Sequence, residues 1–68
     1  MKNSEKEIII KNAIMQYRGS RTKEELMQAL NMMENVDIMI NNSRSWNLKG
    51  VSILRQSIKE AYAKLSKI

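Results

Sequence analysis

The chain has 68 residues and a net charge of +5, and it contains neither cysteine nor histidine. A chain this short can bury only one core, and without those two residue types it lacks a disulfide framework, a thiolate zinc site and the usual nucleophile and base pairs. A single core of this size usually supplies no more than about 3–5 kcal/mol, so oligomerisation or a partner remains as a source of stability. We therefore expect one domain over residues 1–68 that is not an enzyme and needs no cofactor or metal.

Charge and hydropathy along the chain bear on its partners and its location. Residues 1–37 carry six basic and six acidic side chains, whereas residues 38–68 carry six basic ones and Glu60 as their single acid. This imbalance is typical of a solvated face, or of a surface that attracts nucleic acid or an acidic protein. The longest apolar run, Ile8 to Ile10, is too short for a membrane span or a secretory segment, so we expect a cytoplasmic protein.

The first helix is predicted from its ends and its apolar spacing. Ser4 and Glu7 match a capping box, in which serine caps the helix and glutamate reaches back to the serine amide. Gly19 stands where a helix often ends on a left-handed residue, a conformation that glycine adopts at no steric cost. The pattern predicts a helix over about residues 5–18 with one apolar arc, made of Ile9, Ile10, Ala13, Ile14 and Tyr17.

A second helix follows after a short link. Thr22 and Glu25 match another capping box, and the helix can run from Lys23 to about Asn41. Its apolar arc is about 180° wide, which favours contact with two neighbouring helices. The arc contains Leu26, Ala29, Leu30, Met32, Met33, Val36, Met39 and Ile40. Asp37 lies at the edge of this arc, so it is either peripheral or paired with a basic residue.

The third helix carries an apolar seam with spacings of three and four residues. The seam consists of Val51, Leu54, Ile58, Ala61, Leu65 and Ile68. It serves either as the face that packs on the first two helices or as a dimer seam. Gly50 disfavours a helix interior, so the helix begins between Ser45 and Gly50 and covers about residues 47–67.

These elements predict an all-α protein of three helices, an N-terminal helical hairpin followed by a C-terminal amphipathic helix. We also expect a homodimer, since no covalent or metal link stabilises so small a core. The residues assigned to dimerisation are Val51, Leu54, Ile58, Ala61 and Leu65.

Apolar residues outside the predicted core suggest contact with another protein. Ile8 and Met15 lie opposite the core arc of the first helix, and Met27 and Ile38 lie on the polar side of the second. Methionine adapts to irregular partner surfaces. Arg44 and Trp46, between the second and third helices, are residue types that often anchor interfaces. Trp46 is either such an anchor or a plug over the end of the hairpin.

Nucleic-acid binding is the alternative function. A helix, a short turn and a second helix also describe a helix-turn-helix. The second helix has no basic residue after Lys23, however, and is dominated by Met, Leu and Ile, which argues against a recognition helix that reads base edges. Contacts to phosphates without sequence reading remain, and the candidate residues are Arg18, Arg21, Lys49, Arg55 and Lys59.

Residues between Arg18 and Arg55 resemble the AraC negative regulator (ANR) family, small proteins encoded beside virulence activators in Gram-negative pathogens. The resemblance is carried by Gly19, Glu24, Glu25 and Ala29, by the segment Ser43-Arg44-Ser45-Trp46, and by Arg55. It implies a protein that binds an AraC/XylS-type activator and blocks its dimerisation or its use of DNA.

A thinner resemblance links the chain to the Hha/YmoA modulators, helical partners of the nucleoid protein H-NS. It is carried by the spacing of Met15, Arg18, Thr22 and Leu26. Both resemblances imply a non-enzymatic protein that modulates transcription through contact with a DNA-binding protein.

Overall fold

The computed structural model describes residues 3–42 and 49–67, which form three α-helices. Helix α1 covers Asn3–Arg18, α2 covers Lys23–Asn41 and α3 covers Lys49–Ser66. The predicted all-α class with three helices is confirmed, and the described residues contain no strand. No helix in this part of the chain is long and apolar enough to cross a membrane. The predicted partner anchors Arg44 and Trp46 lie outside the described residues.

The start of α2 follows from its cap. Thr22 has the extended backbone of an N-cap residue, and its Oγ1 accepts a hydrogen bond from the amide of Glu25 at 3.1 Å. The Glu25 carboxylate accepts in turn from the amide of Arg21 at 2.9 Å, one residue before the predicted position. The predicted N-cap is confirmed, and two amides at the helix start that lack a partner within the helix are satisfied.

Helix α1 begins earlier than its sequence pattern predicts. Its first helical residue is Asn3, so Ser4 lies within the helix and does not cap it. The signature of serine followed three residues later by glutamate describes a local preference, and serine also has a moderate propensity for the helix interior. A helix can therefore continue through such a signature toward the N-terminus.

The prediction of a left-handed Gly19 at the end of α1 is wrong, because neither glycine of the chain has a positive φ. The Gly19 amide donates to the Met15 carbonyl at 2.9 Å, and the Ser20 amide donates to the Tyr17 carbonyl at 3.1 Å. The Ser20 hydroxyl donates to the Gln16 carbonyl at 2.9 Å. A right-handed tightened turn and a serine hydroxyl thus satisfy the last carbonyls of α1.

Each helix contacts the other two, so the three close around one core. The contribution of α2 to both contacts confirms the prediction made from its wide apolar arc. One alanine from each helix is fully buried, which lets the backbones approach closely. The buried apolar residues are Ile10, Ala13, Ile14, Tyr17, Leu26, Ala29, Leu30, Met33, Val36, Ile40, Val51, Leu54 and Ala61.

The apolar seam of α3 packs within the chain. Val51, Leu54 and Ala61 are buried in the core, and Ile58 and Leu65 are half-buried against it. The intramolecular alternative therefore describes the structure. Much of the apolar surface of these five residues is therefore used in contacts with α1 and α2, which leaves little of it for the predicted dimer seam. Ile68 lies outside the described residues.

The edge of the α2 arc is exposed, contrary to prediction. Met39 keeps 39% of its surface exposed, and Met32 is half-buried. Both residues lie toward one side of the arc, whereas α1 and α3 cover its middle. The Met39 side chain therefore belongs to the surface, although helical spacing alone assigns it to the core.

Polar contacts hold one flank of α3 against α2. Arg55 Nε lies 3.1 Å from Asp37 Oδ1, and Arg55 Nη2 donates to Asn41 Oδ1 at 3.0 Å. Near the other end of α3, the Tyr62 hydroxyl donates to the Glu34 carboxylate. The sequence left open whether Asp37 is peripheral or paired with a basic residue, and Arg55 is that basic partner. Because Arg55 is half exposed, we expect this ion pair to contribute at most about 1 kcal/mol.

The opposite flank of α3 contacts α1 through Tyr17. The ring of Tyr17 is buried, and its hydroxyl donates to Glu60 Oε1 at 3.2 Å. The ammonium of Lys64 lies 4.8 Å from the centre of the same ring, within the range of a cation–π interaction. One tyrosine therefore anchors two successive turns of α3.

Gly50 lies where α3 approaches α1 closely. A Cβ atom added at Gly50 would lie 3.0 Å from Cγ2 of Ile10, whose side chain is almost fully buried. This distance is shorter than ordinary van der Waals contact between carbon atoms. The close approach gives a physical reason for a glycine in the first turn of α3.

We expect replacement by alanine to change the free energy of unfolding differently at the two glycines. Gly19→Ala should raise the free energy of unfolding by about 0.4–1 kcal/mol, because the new Cβ has ordinary contacts and the unfolded chain loses freedom. Gly50→Ala should leave it unchanged or lower it, because overpacking against Ile10 offsets the gain in helix propensity. Urea denaturation of both variants measures the difference. Equal stabilisation by both would contradict a steric role for Gly50.

We expect Tyr62 to make the stability of the protein depend on pH in the alkaline range. The pKa of Tyr62 is raised above its ordinary value, first of all by its hydrogen bond to Glu34. Partial removal from solvent and the negative charge of the Glu34 carboxylate raise the pKa of Tyr62 further. Because the folded-state pKa exceeds the unfolded value, the contribution to stability is complete below about pH 10 and is lost as the pH rises through the folded pKa.

We expect the wild type to lose more stability than Tyr62→Phe between about pH 9 and pH 12, as measured by urea denaturation. The two proteins differ only at residue 62, so the difference between them isolates the contribution of the Tyr62 hydroxyl. The difference between their tyrosinate absorbance titrations gives the pKa of Tyr62. A midpoint at or below the ordinary tyrosine value would contradict the contact with Glu34.

Candidate protein-binding surfaces

A groove runs between α1 and α3 on the outside of the bundle. We call it the α1–α3 groove, and its volume is about 260 Å³. Its lining is formed by Glu7, Ile10, Lys11, Ile14, Met15, Arg18, Gly50 and Ile53. Gly50 is the part of this lining where the α3 backbone lies close to Ile10, and the buried side chains of Ile10 and Ile14 form the base of the groove.

Two exposed apolar side chains stand at this groove, one from each helix. Met15 of α1 is 58% exposed and Ile53 of α3 is 48% exposed. Scattered single apolar residues are normal on protein surfaces, but two that line one groove over a buried apolar base form a continuous patch. The groove therefore offers apolar contact to another molecule.

The α1 side of the groove is charged, with opposite signs at its ends. Glu7 and Arg18 are separated by eleven positions on α1, which is about three turns and about 16 Å. That separation prevents an ion pair between them. Lys11 lies between the two and is exposed. A ligand in the groove therefore meets a negative end and a positive end.

A basic surface adjoins the positive end of the groove. Its four cations come from α1, from the turn that follows and from the last part of α3: Arg18, Arg21, Lys64 and Lys67. We call it the basic end. They line a pocket of about 370 Å³ together with Tyr17, Ser20, Thr22 and Leu26, and none of the described residues in this lining is acidic. The basic end can attract anionic groups.

Two further exposed apolar side chains lie on the outer side of α2. Met27 and Ile38 are both more than half exposed and are eleven positions apart, so they lie close to one line along the helix. We call this surface the α2 face. No residue of α2 lines the α1–α3 groove, so the two apolar surfaces are separate.

The predicted partner-binding residues are all exposed where the structure describes them. Ile8, Met15, Met27 and Ile38 are each more than half exposed, from 52% to 58%. Met15 joins the groove, Met27 and Ile38 share the α2 face, and Ile8 is exposed on α1 outside the lining of the groove. The structure thus divides the predicted partner-binding residues between two helices and does not gather them into one site.

The candidate nucleic-acid contacts are also divided. Arg18 and Arg21 belong to the basic end, whereas Arg55 is bound to Asp37 and Asn41 on another flank. Lys59 is exposed on α3, and Lys49 is the first residue of that helix. The basic end therefore combines two of the predicted residues, Arg18 and Arg21, with Lys64 and Lys67.

Sequence reasoning missed Ile53, Lys64 and Lys67. Ile53 precedes a seam residue and lies off the seam, so it is an apolar residue left outside the predicted core, like Ile8. That signal was present in the sequence. Lys64 and Lys67 join Arg18 only because the end of α3 lies beside the end of α1, which local spacing cannot show.

Comparison with known proteins adds no relative. No protein-family model, no curated protein and no solved structure matches this chain. The resemblances to the ANR family and to the Hha/YmoA modulators therefore rest on the residues that carry them.

Proposed function

We propose that this protein is a small non-enzymatic modulator of transcription that acts by binding another protein. The supporting observation is the exposure of large apolar side chains on α1 and α2 of a bundle whose core is already filled by others. Exposed apolar residues that gather at a groove or along one side of a helix often mark contact with another molecule. Contact with a protein partner accounts for them.

The identity of the partner comes from the resemblance. An AraC/XylS-type activator is the first candidate, with inhibition of the activator and negative control of virulence genes as the outcome. The nucleoid protein H-NS is the second candidate. In this proposal Arg55 has an indirect role, since its contacts to Asp37 and Asn41 hold α3 in place. Arg44 and Trp46 stay predicted contact residues.

Binding to purified candidates tests this proposal. We expect Met27→Lys and Ile38→Lys, singly and together, to weaken binding at least tenfold, because a charge replaces apolar contact on the α2 face. Asn12→Lys is the matched control, since it adds the same charge at an exposed site outside both apolar surfaces. Isothermal titration with an AraC/XylS-type activator and with H-NS measures the affinities. No binding of the wild type to either protein would refute the proposed partners.

Nucleic-acid binding is the second candidate function, and the basic end favours it. Its cations would contact phosphates without reading bases. We expect Arg21→Glu with Lys64→Glu to abolish retardation of duplex DNA at low salt, whereas Lys59→Glu leaves part of it. Neutralising four phosphates predicts a slope of log K against log salt of about −3.6. Absence of retardation by the wild type at low salt would exclude this function.

A further inference from the structure

The α1–α3 groove has a charge pattern that suits a second copy of itself. We infer that two copies of this chain pair through their grooves, with their α1 helices antiparallel across a twofold axis. This inference concerns the groove alone and holds whether or not the proposed partner on the α2 face is correct. It replaces the predicted dimer seam on α3, which the core already occupies.

The apolar part of the groove supplies the contact area. Met15 and Ile53 project from two different helices and remain about half exposed in the single chain. In a twofold pair, the α1 and α3 helices of both copies would form a second, smaller apolar layer between them. Such a layer adds to a core that is small for an independently stable domain.

The charged ends of the groove indicate the partner. A twofold interface places the same patch of both copies in contact. Each residue must therefore suit the residue that the twofold rotation brings opposite to it. Antiparallel pairing brings Glu7 of one copy beside Arg18 of the other, and it does so twice. Parallel pairing would place Glu7 against Glu7 and Arg18 against Arg18. The opposite signs at the two ends therefore favour the antiparallel twofold arrangement.

Lys11 sets a constraint on this pairing. It lies between Glu7 and Arg18, so the two copies of Lys11 approach the middle of the interface. Their long aliphatic stems can cover Met15 and Ile53 while the ammonium groups reach solvent at the edge. Lys11→Ala should therefore leave pairing intact or strengthen it, which distinguishes this arrangement from binding of an acidic partner helix.

The arrangement also leaves the α2 face uncovered. Met27 and Ile38 lie on the one helix that does not line the groove. Self-association through α1 and α3 is thus compatible with partner binding through α2. The two activities can be tested with different variants of the same chain.

Charge reversal and sedimentation equilibrium test the inference. We expect a dimeric wild type at low salt, and Glu7→Arg or Arg18→Glu alone should weaken dimerisation about tenfold by replacing two ion pairs with like charges. The double variant Glu7→Arg with Arg18→Glu should restore dimerisation to within about threefold of wild type. Circular dichroism of each variant checks that the helices remain.

Apolar variants provide the second arm of the experiment. Met15→Lys should give a folded monomer, whereas Met27→Lys, the matched control on α2, should stay dimeric. A monomeric wild type at millimolar concentration would overturn the inference, as would assemblies larger than a dimer or a double charge reversal that does not restore pairing. Dimerisation that is lost in Met27→Lys but kept in Met15→Lys would place the interface on α2 and would also overturn it.

Discussion

The fold depends on the burial of the apolar side of α3 against both other helices. The hairpin of α1 and α2 has a wide apolar surface, and only a third helix can cover the part that the two do not cover for each other. Leu54 and Ala61, both fully buried, show how completely α3 enters this core. With no cysteine in the chain to form a disulfide, this shared burial is the main source of cohesion. It also decides which residues remain for binding, because a side chain used in the core cannot serve at an interface.

The position of α3 is defined by contacts that apolar burial alone would not specify. Arg55 and Tyr62 bind α2 on one flank, and Glu60 and Lys64 meet Tyr17 of α1 on the other. Each of these contacts is weak because it lies near the surface. All of them can form together only when α3 has one particular orientation about its own axis. That orientation directs the backbone at residue 50 toward α1, close to the side chain of Ile10. The same packing places Gly50 and Ile53 of α3 beside α1, where they line the α1–α3 groove.

Much of the fold could be predicted from local signals, and little of the site could. Helix α2 follows its predicted bounds, because Thr22 caps it through a bond three residues away. The prediction of a left-handed Gly19 was wrong, because the hydroxyl and the amide of Ser20 satisfy carbonyls at the end of α1 in a different way. Met39 was wrongly assigned to the apolar arc that packs in the core. Helical spacing shows on which side of α2 a side chain lies, but it does not show how much of that side α1 and α3 cover. The basic end was not predictable, as it joins Arg18 to Lys64 across 46 positions of sequence.

The separation of the two apolar surfaces would link the proposed self-association to the proposed partner binding. If two chains pair through α1 and α3, the twofold axis duplicates the α2 face and presents Met27 and Ile38 twice in fixed relation. A dimeric partner, as expected of a DNA-binding activator, could then contact both copies at once. The second contact would be intramolecular, so its effective concentration would depend on the spacing of the faces and not on the protein concentration. A weak contact through one small helix could in this way give strong binding to a dimeric partner and weak binding to a monomeric one.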